Sequence, residues 1–216
     1  MAAVGLLYVG AVLFLNGVML LGRVDAKSGG VFNLFVGALQ VVTPTYLIIR
    51  ADGNTPAILA AAGIYLFGFT YLYVGITNLA GLDPAGIGWY SLFVAVVAVG
   101  LSVATFTVLQ DSVFGVIWLY WALLWFLFFL LLAAQRPIQR FTGWACIGEA
   151  WVTCVIPAYL ILTGALTATA AITGVLIALA VLGFPALYLA TGPDRTATAQ
   201  PSQPGPPPAR QATPVT

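Results

Sequence analysis

The sequence contains no histidine and only two cysteines, and each scarcity excludes a class of function. Without imidazole there is no His ligand for haem or zinc, no His proton relay and no His-based pH switch. Cys146 and Cys154 lie eight residues apart in one apolar run, too far along a helix for a disulfide and too few for a metal cage. We therefore expect no metal and no cofactor, and both cysteines are interpreted as small core residues.

Charge is also scarce. Seven Lys and Arg residues against six Asp and Glu leave a formal net charge of +1, so no basic surface is available to hold nucleic acid. The only lysine, Lys27, lies in a predicted loop, which excludes a retinal pump because the Schiff base needs a lysine inside the membrane. No phosphate loop, zinc-protease motif or nucleophile elbow is present, so an enzyme is not expected.

Apolar sequence is abundant instead. Hydrophobic residues make up 62% of the 216 residues, and the mean hydropathy of +1.05 is too high for a soluble domain of this size. A bilayer core needs about 20 apolar residues per helix. Seven runs qualify, approximately Ala2–Leu21, Val31–Ile49, Pro56–Ile76, Ile87–Leu109, Val113–Ala134, Phe141–Leu162 and Leu166–Ala190. The fold class predicted is all-α, a polytopic membrane helix bundle whose first run, lacking a positive n-region, is a retained span.

The basic residues predict an orientation. Six of the seven fall on one side of this topology, and the exception is Arg50. The positive-inside rule then places the N-terminus outside and the C-terminus on the cytoplasmic side of the membrane. From Thr191 onward the composition changes to Pro, Gln, Thr and Gly, which predicts a disordered cytoplasmic tail over 191–216, either a spacer or a segment that docks to a cytoplasmic partner.

Glu149 is the one charged side chain inside a predicted span. Burying an ionisable group costs at least ~2.5 kcal/mol on insertion scales unless it faces a cavity or a partner, so a functional role is the default interpretation. The alternative is a protonated or hydrogen-bonded Glu that ties two helices together. Asn16, in the first span, is a candidate partner.

The fifth run carries an aromatic stripe. Trp118, Trp121 and Trp125 are spaced three and four residues apart, so their indoles share one face of a helix. The stripe extends about 10 Å at 1.5 Å per residue, whereas lipid-anchoring Trp residues cluster at the interfaces. It therefore favours the wall of a narrow slot for a flat, neutral, polar molecule, with ordinary helix packing as the alternative.

Two further pairs fit such a slot. Phe69 and Tyr73 form an i, i+4 aromatic pair in the third run, and Leu6 and Leu13 share a face of the first at heptad spacing.

With these residues in place, the chain resembles the urea channel and aliphatic amide transporter family (UreI/AmiS) over about residues 1–163. The resemblance rests on several segments taken together: Leu6-Leu7-Tyr8-Val9-Gly10, Asn16-Gly17, Val24-Asp25-Ala26-Lys27-Ser28, Asn33-Leu34-Phe35-Val36-Gly37, Phe67-Gly68-Phe69-Thr70-Tyr71-Leu72-Tyr73, Gly81-Leu82-Asp83, Trp89-Tyr90-Ser91-Leu92-Phe93-Val94-Ala95, the Trp stripe, Phe141-Thr142-Gly143-Trp144, Glu149 and Ile156-Pro157-Ala158.

The resemblance implies a channel core of six helices per protomer, each protomer with its own pore, assembled as a homohexamer around a central space filled with lipid. Urea or small amides would permeate passively. Carried over by position, the residues along the constrictions would be Leu6, Leu13, Phe69, Tyr73, Trp121, Leu124 and Trp125, and Glu149 would be a buried carboxylate beside the pore.

Two departures from the family pattern are evident. Acid-gated members have long, histidine-bearing periplasmic loops, whereas the second and fourth loops here are short and histidine is absent, so we predict a channel that is not acid-gated. The run at 164–190 is an additional span, and its small residues Gly174, Ala178 and Gly183 favour close packing on the bundle or between protomers.

The leading prediction is therefore a passive channel for urea and short-chain aliphatic amides. A proton-coupled amide carrier that uses Glu149 as the titrating group, and a purely structural membrane scaffold, are the alternatives.

Overall fold

The computed structural model describes residues 2–166 and 169–192, and these form helices without strands. Seven helices are long and apolar enough to cross a membrane: α1 (Ala2–Leu20), α2 (Ala26–Arg50), α3 (Thr55–Ala80), α4 (Ala85–Thr107), α5 (Ser112–Leu132), α6 (Gln139–Leu162) and α7 (Ala170–Thr191). This confirms the all-α polytopic bundle with seven spans. Apart from Thr191 and Gly192, the tail predicted to be disordered lies outside the described residues.

Local capping sets several helix ends. Asp25 accepts from the backbone N–H groups of Lys27 and Ser28 at 2.9 and 3.2 Å, which starts α2 at Ala26, well before the apolar run begins at Val31. Asn54 caps α3 in the same way through Ala57. At its other end α3 continues to Ala80, where Gly81 adopts a left-handed φ of 67°.

Six helices pack as three neighbouring pairs, α1 with α6, α2 with α3, and α4 with α5. The α1–α6 pair approaches closely at glycine. A Cβ added to Gly17 would lie 2.6 Å from the Gly143 carbonyl oxygen and from the Ile147 side chain, so no larger residue fits there. The loops α1–α2 and α5–α6 lie at one end of the bundle, where the Gln139 side chain donates to the Leu20 carbonyl at 2.8 Å.

The seventh helix lies on the outside of this bundle, with only 6% of its most apolar window buried. The Tyr120 hydroxyl donates to the Leu176 carbonyl at 2.6 Å, and the Ser112 and Thr173 hydroxyls are 2.9 Å apart. The small residues predicted to pack on the bundle do not make this contact, and their packing between protomers stays a prediction. Gly174, Ala178 and Gly183 are exposed, and a Cβ on either glycine would meet nothing within 4 Å. Aromatic packing replaces them, with the Phe184 and Tyr120 rings 5.6 Å apart.

Two helices contain a π-helical segment, Ala150–Val155 in α6 and Leu179–Gly183 in α7. Single π-turns inside α-helices are frequent at functional sites. The segment in α6 begins immediately after Glu149.

Candidate functional site

Two cavities follow one another through the bundle. The outer cavity, at the end where α1 begins, has a volume of about 370 Å³, and the inner cavity, nearer the opposite end, about 220 Å³. Both are lined by Phe67 and Trp121, so these two rings stand where the cavities meet. A further cavity of about 470 Å³ continues from the inner one past Asp83 and Gln135, and we call it the mouth.

Four rings from α3 and α5 make up the junction between the cavities, which we call the aromatic constriction: Phe67, Trp118, Trp121 and Trp125. The Phe67 ring centroid lies 4.8 Å from that of Trp121, nearly perpendicular at 85°, and 4.7 Å from that of Trp125. Trp118 packs edge-on against Trp121 at 4.9 Å. Edge-to-face contacts of this kind stabilise beyond their buried area, so the constriction is a fitted cluster.

Two indole N–H groups of the constriction are held by threonine hydroxyls. Trp121 donates to Thr153 on α6 at 2.9 Å, and the Thr153 hydroxyl donates to the backbone carbonyl of Glu149 at 2.7 Å. Trp125 donates to Thr70 on α3 at 3.3 Å. Each hydroxyl has a bond of its own to a helix carbonyl, so the ring orientations are tied to the backbones of two neighbouring helices.

The position of the third indole, that of Trp118, depends on the absence of a side chain at Gly63. α3 is interrupted at Gly63, between Thr55–Ala62 and Ile64–Ala80. A Cβ there would come within 2.7 and 2.8 Å of two Trp118 ring carbons. The indole can lie against the α3 backbone only because residue 63 is glycine.

Among the described residues, no charged side chain lines the inner cavity, and its polar lining side chains include Asn16, Thr70, Tyr71, Asn78 and Ser91. Asn16 and Asn33 exchange reciprocal amide hydrogen bonds at 3.0 and 2.7 Å. The Ser91 hydroxyl donates to a carbonyl in its own helix and keeps acceptor capacity toward the cavity. The inner cavity is therefore neutral and rich in acceptors.

The outer cavity is lined by one buried amide and one carboxylate. Gln40 donates to the Gly5 carbonyl at 2.7 Å, and Asp111 accepts from the Phe114 N–H as the cap of α5. Both groups have structural partners of their own.

Most residues singled out from the sequence lie along these cavities. Leu6 and Trp118 line the outer cavity, Trp121 lines both, and the inner cavity is lined by Leu13, Asn16, Leu124 and Trp125.

The third-span pair lies elsewhere. Phe69 is 50% exposed and stacks on Tyr65, and Tyr73 is 37% exposed; neither lines either cavity. The face of α3 that lines the cavities instead presents Phe67, Thr70 and Tyr71.

Glu149 is 2% exposed and lines neither cavity, and both of its carboxyl oxygens lack a hydrogen-bond partner in the described chain. The expected partnership with Asn16 is wrong, because Asn16 pairs with Asn33 across the α1–α2 contact. An unpartnered carboxyl group inside a membrane span is costly. Glu149 is nevertheless linked to Trp121, because the Thr153 hydroxyl accepts from the Trp121 indole and donates to the backbone carbonyl of Glu149.

Sequence reasoning missed Phe67 as well as the polar lining residues Gln40, Thr70 and Ser91. Gln40 and Ser91 carry a detectable signal, since each is an isolated polar residue in an apolar run. Phe67 and Tyr71 have the same i, i+4 spacing as Phe69 and Tyr73, so spacing alone favours neither pair.

Several proteins of known description are similar to this chain in sequence, and a solved structure is similar to it in fold. A Rhodococcus erythropolis protein named as an AmiS2 transporter is 62% identical over 173 residues, 80% of this chain and 84% of that one. A Mycolicibacterium smegmatis protein named as a transporter of amidate substrates is 48% identical over 98% of both chains. The Helicobacter pylori urea channel, solved by cryo-EM in a closed state, is 34% identical with a TM-score of 0.71, over 77% of this chain and 100% of the channel. The model of the AmiS/UreI family of transporters matches residues 1–165, and the chain belongs to that family.

Proposed function

We propose that this protein is a passive channel for urea and short-chain aliphatic amides. The observation that carries the proposal is the pair of cavities placed end to end, which meet at Phe67 and Trp121 and continue to a mouth between the helix ends. The relatives named for amidate and urea transport support the same substrate class. A family of transporters also gives no reason to expect catalysis.

The lining chemistry suits a flat, uncharged donor. Urea and amide N–H groups can donate to the hydroxyls of Ser91 and Thr70 and to the amide oxygen of Asn78, while ring faces contact the molecular plane. The inner cavity of 220 Å³ holds several molecules the size of water, at about 30 Å³ each, and therefore a urea or a short amide. An ion would lose its hydration there without a charged group to replace it.

Passage requires the rings of Phe67 and Trp121 to separate, because the outer and inner cavities meet at this pair. Selectivity then arises from shape and from partial dewetting at the constriction rather than from tight binding.

The proposed orientation places the outer cavity on the periplasmic side of the bacterial cytoplasmic membrane and the mouth on the cytoplasmic side. Arg23, Lys27 and Arg136 lie at the mouth end and Arg50 at the other, in agreement with the positive-inside rule. We also propose a homohexamer of six-helix units (1–163) around a central lipid-filled space, with the additional span (164–190) outside each unit. The mass of the detergent-solubilised oligomer tests its number.

A second candidate, a proton-coupled carrier, is favoured by one observation, the unpartnered carboxyl group of Glu149. Against it, Glu149 lines neither cavity, so a proton on it has no direct contact with a solute in the path. The two mechanisms differ in what drives the flux.

Flux into proteoliposomes tests both. The purified protein is reconstituted, and vesicle volume is followed by stopped-flow light scattering under urea, acetamide and sucrose gradients. A channel gives urea and acetamide fluxes that rise linearly with the gradient and are unaffected by a protonophore. Saturable, protonophore-sensitive accumulation that Glu149→Gln abolishes would establish the carrier, and fluxes equal to those of empty vesicles would remove both functions.

A further inference from the structure

A fourth cavity, larger than the other three at about 850 Å³, lies outside the transport path. It is a groove between α1 and α6 at the mouth end, and Leu20, Leu131 and Gln139 separate it from the mouth because they line both. We call it the lateral groove. Nothing in the channel mechanism uses it.

The walls of the lateral groove are apolar and aromatic. Phe14 from α1 and Trp144 from α6 are each more than two-fifths exposed, and Val18 and Ile147 complete the wall. Phe14 lies about 9 Å from the end of α1 at Leu20, at 1.5 Å per residue, so the groove extends well into the apolar part of the span. The apolar part of the groove therefore lies at the depth in the membrane where a lipid acyl chain would run.

The rim of the lateral groove is cationic. Arg23, Arg136 and Arg140 line it, and no acidic side chain of residues 2–166 or 169–192 does. The guanidinium groups of Arg23 and Arg136 make no ion pair or hydrogen bond with any residue in 2–166 or 169–192. Two exposed arginines without an ion-pair partner in the described chain therefore lie beside an apolar groove.

This combination matches an amphiphile with an anionic head. Guanidinium groups bind phosphate through paired, charge-assisted hydrogen bonds, and basic pockets between helices at the cytoplasmic surface suit anionic headgroups. We propose that the lateral groove binds one anionic phospholipid of the cytoplasmic leaflet, with its phosphate at Arg23 and Arg136 and an acyl chain along Phe14 and Trp144. The choice of leaflet rests on the proposed orientation of the chain, and the site is independent of what the pore conducts.

Fluorescence quenching by brominated lipid tests the proposal with the intact protein. Trp144 in the groove is a built-in reporter, because bromine atoms on an acyl chain quench an indole that they touch. The protein is reconstituted in phosphatidylcholine vesicles to which brominated phosphatidylglycerol or brominated phosphatidylcholine is added in equal amounts. We expect stronger quenching by the anionic lipid, and the excess disappears in Trp144→Phe.

Charge variants locate the site. Arg136→Gln and Arg23→Gln each lower the affinity for brominated phosphatidylglycerol about fivefold, the effect of one basic side chain near a membrane surface. Lys27→Gln is the matched control, since it removes one charge at the same end but lies outside the groove. Both arginines are exposed, and neither guanidinium group is hydrogen-bonded or ion-paired to a described residue, so neither variant removes a polar contact that the described fold needs.

Three results would overturn the proposal. Equal quenching by the two lipids shows that no anionic site exists. An effect of Lys27→Gln as large as that of Arg136→Gln shows only a general attraction of the surface. Loss of the excess quenching on adding inorganic phosphate shows a site for phosphate alone rather than for a lipid.

Discussion

The indole N–H of Trp121 donates to the hydroxyl of Thr153 at 2.9 Å, and this bond joins the aromatic constriction to the π-helical segment of α6. The Thr153 hydroxyl is itself oriented by its bond to the Glu149 carbonyl, which leaves its lone pairs for the indole. α6 therefore contributes to the aromatic constriction by fixing the position of the Trp121 ring through Thr153.

Thr153→Val keeps the shape of the side chain and removes the acceptor. The buried indole N–H loses its partner, which destabilises the protein by about 1–3 kcal/mol and frees Trp121 to tilt. We expect a lower Tm and a higher ratio of water to urea permeability in the stopped-flow assay. Thr163→Val is the control, because Thr163 also donates to the carbonyl four residues earlier but is exposed at the end of α6. Equal effects of the two substitutions would contradict a positioning role for Thr153.

Gly63→Ala tests the close contact between α3 and Trp118. The added methyl group would lie under 3 Å from the indole, so the ring or the helix must shift, with an overpacking penalty of about 1–3 kcal/mol. We expect a lower Tm together with altered urea flux. Gly100→Ala, in α4 with no atom within 4 Å of the new methyl group, should be neutral or stabilise by up to about 1 kcal/mol. A Gly63→Ala protein as stable as the Gly100→Ala protein would contradict the contact.

Tyr120→Phe tests whether α7 is separate from transport. The substitution removes the bond to the Leu176 carbonyl, which contributes about 0.5–1.5 kcal/mol, and so lowers the Tm slightly. Urea flux should stay at the wild-type level, because neither Tyr120 nor any residue of α7 lines the outer or the inner cavity. A fall in flux at unchanged Tm would show that α7 takes part in conduction.

Acidification should leave the flux unchanged. The chain has no histidine, the only residue whose ordinary titration falls between about pH 5 and about pH 7, and the loops from Arg50 to Thr55 and from Thr107 to Ser112 are short. Urea flux measured at both pH values in one vesicle preparation checks this. A severalfold rise at the lower pH would contradict the absence of an acid gate.

The sequence predicts the positions of the membrane spans, but it does not predict which helix faces and polar side chains contact one another. The seven spans follow from run length, and caps such as Asp25 and Asn54 could have refined their ends. The inward face of α3 could not be predicted, because in a membrane both faces of a helix are apolar and periodicity does not distinguish lipid from interior. The pairing of Asn16 with Asn33 rather than with Glu149 depends on helix neighbours, which the sequence leaves open.

The most direct test of the central claim compares two phenylalanines on one helix. Phe67 stands between the two cavities and Phe69, two residues away, is half exposed on the outer face. We predict that Phe67→Ala widens the constriction and raises water permeability relative to urea severalfold, whereas Phe69→Ala leaves both fluxes at the wild-type level. Unchanged fluxes in Phe67→Ala, or equal changes in both variants, would contradict a transport path through these cavities.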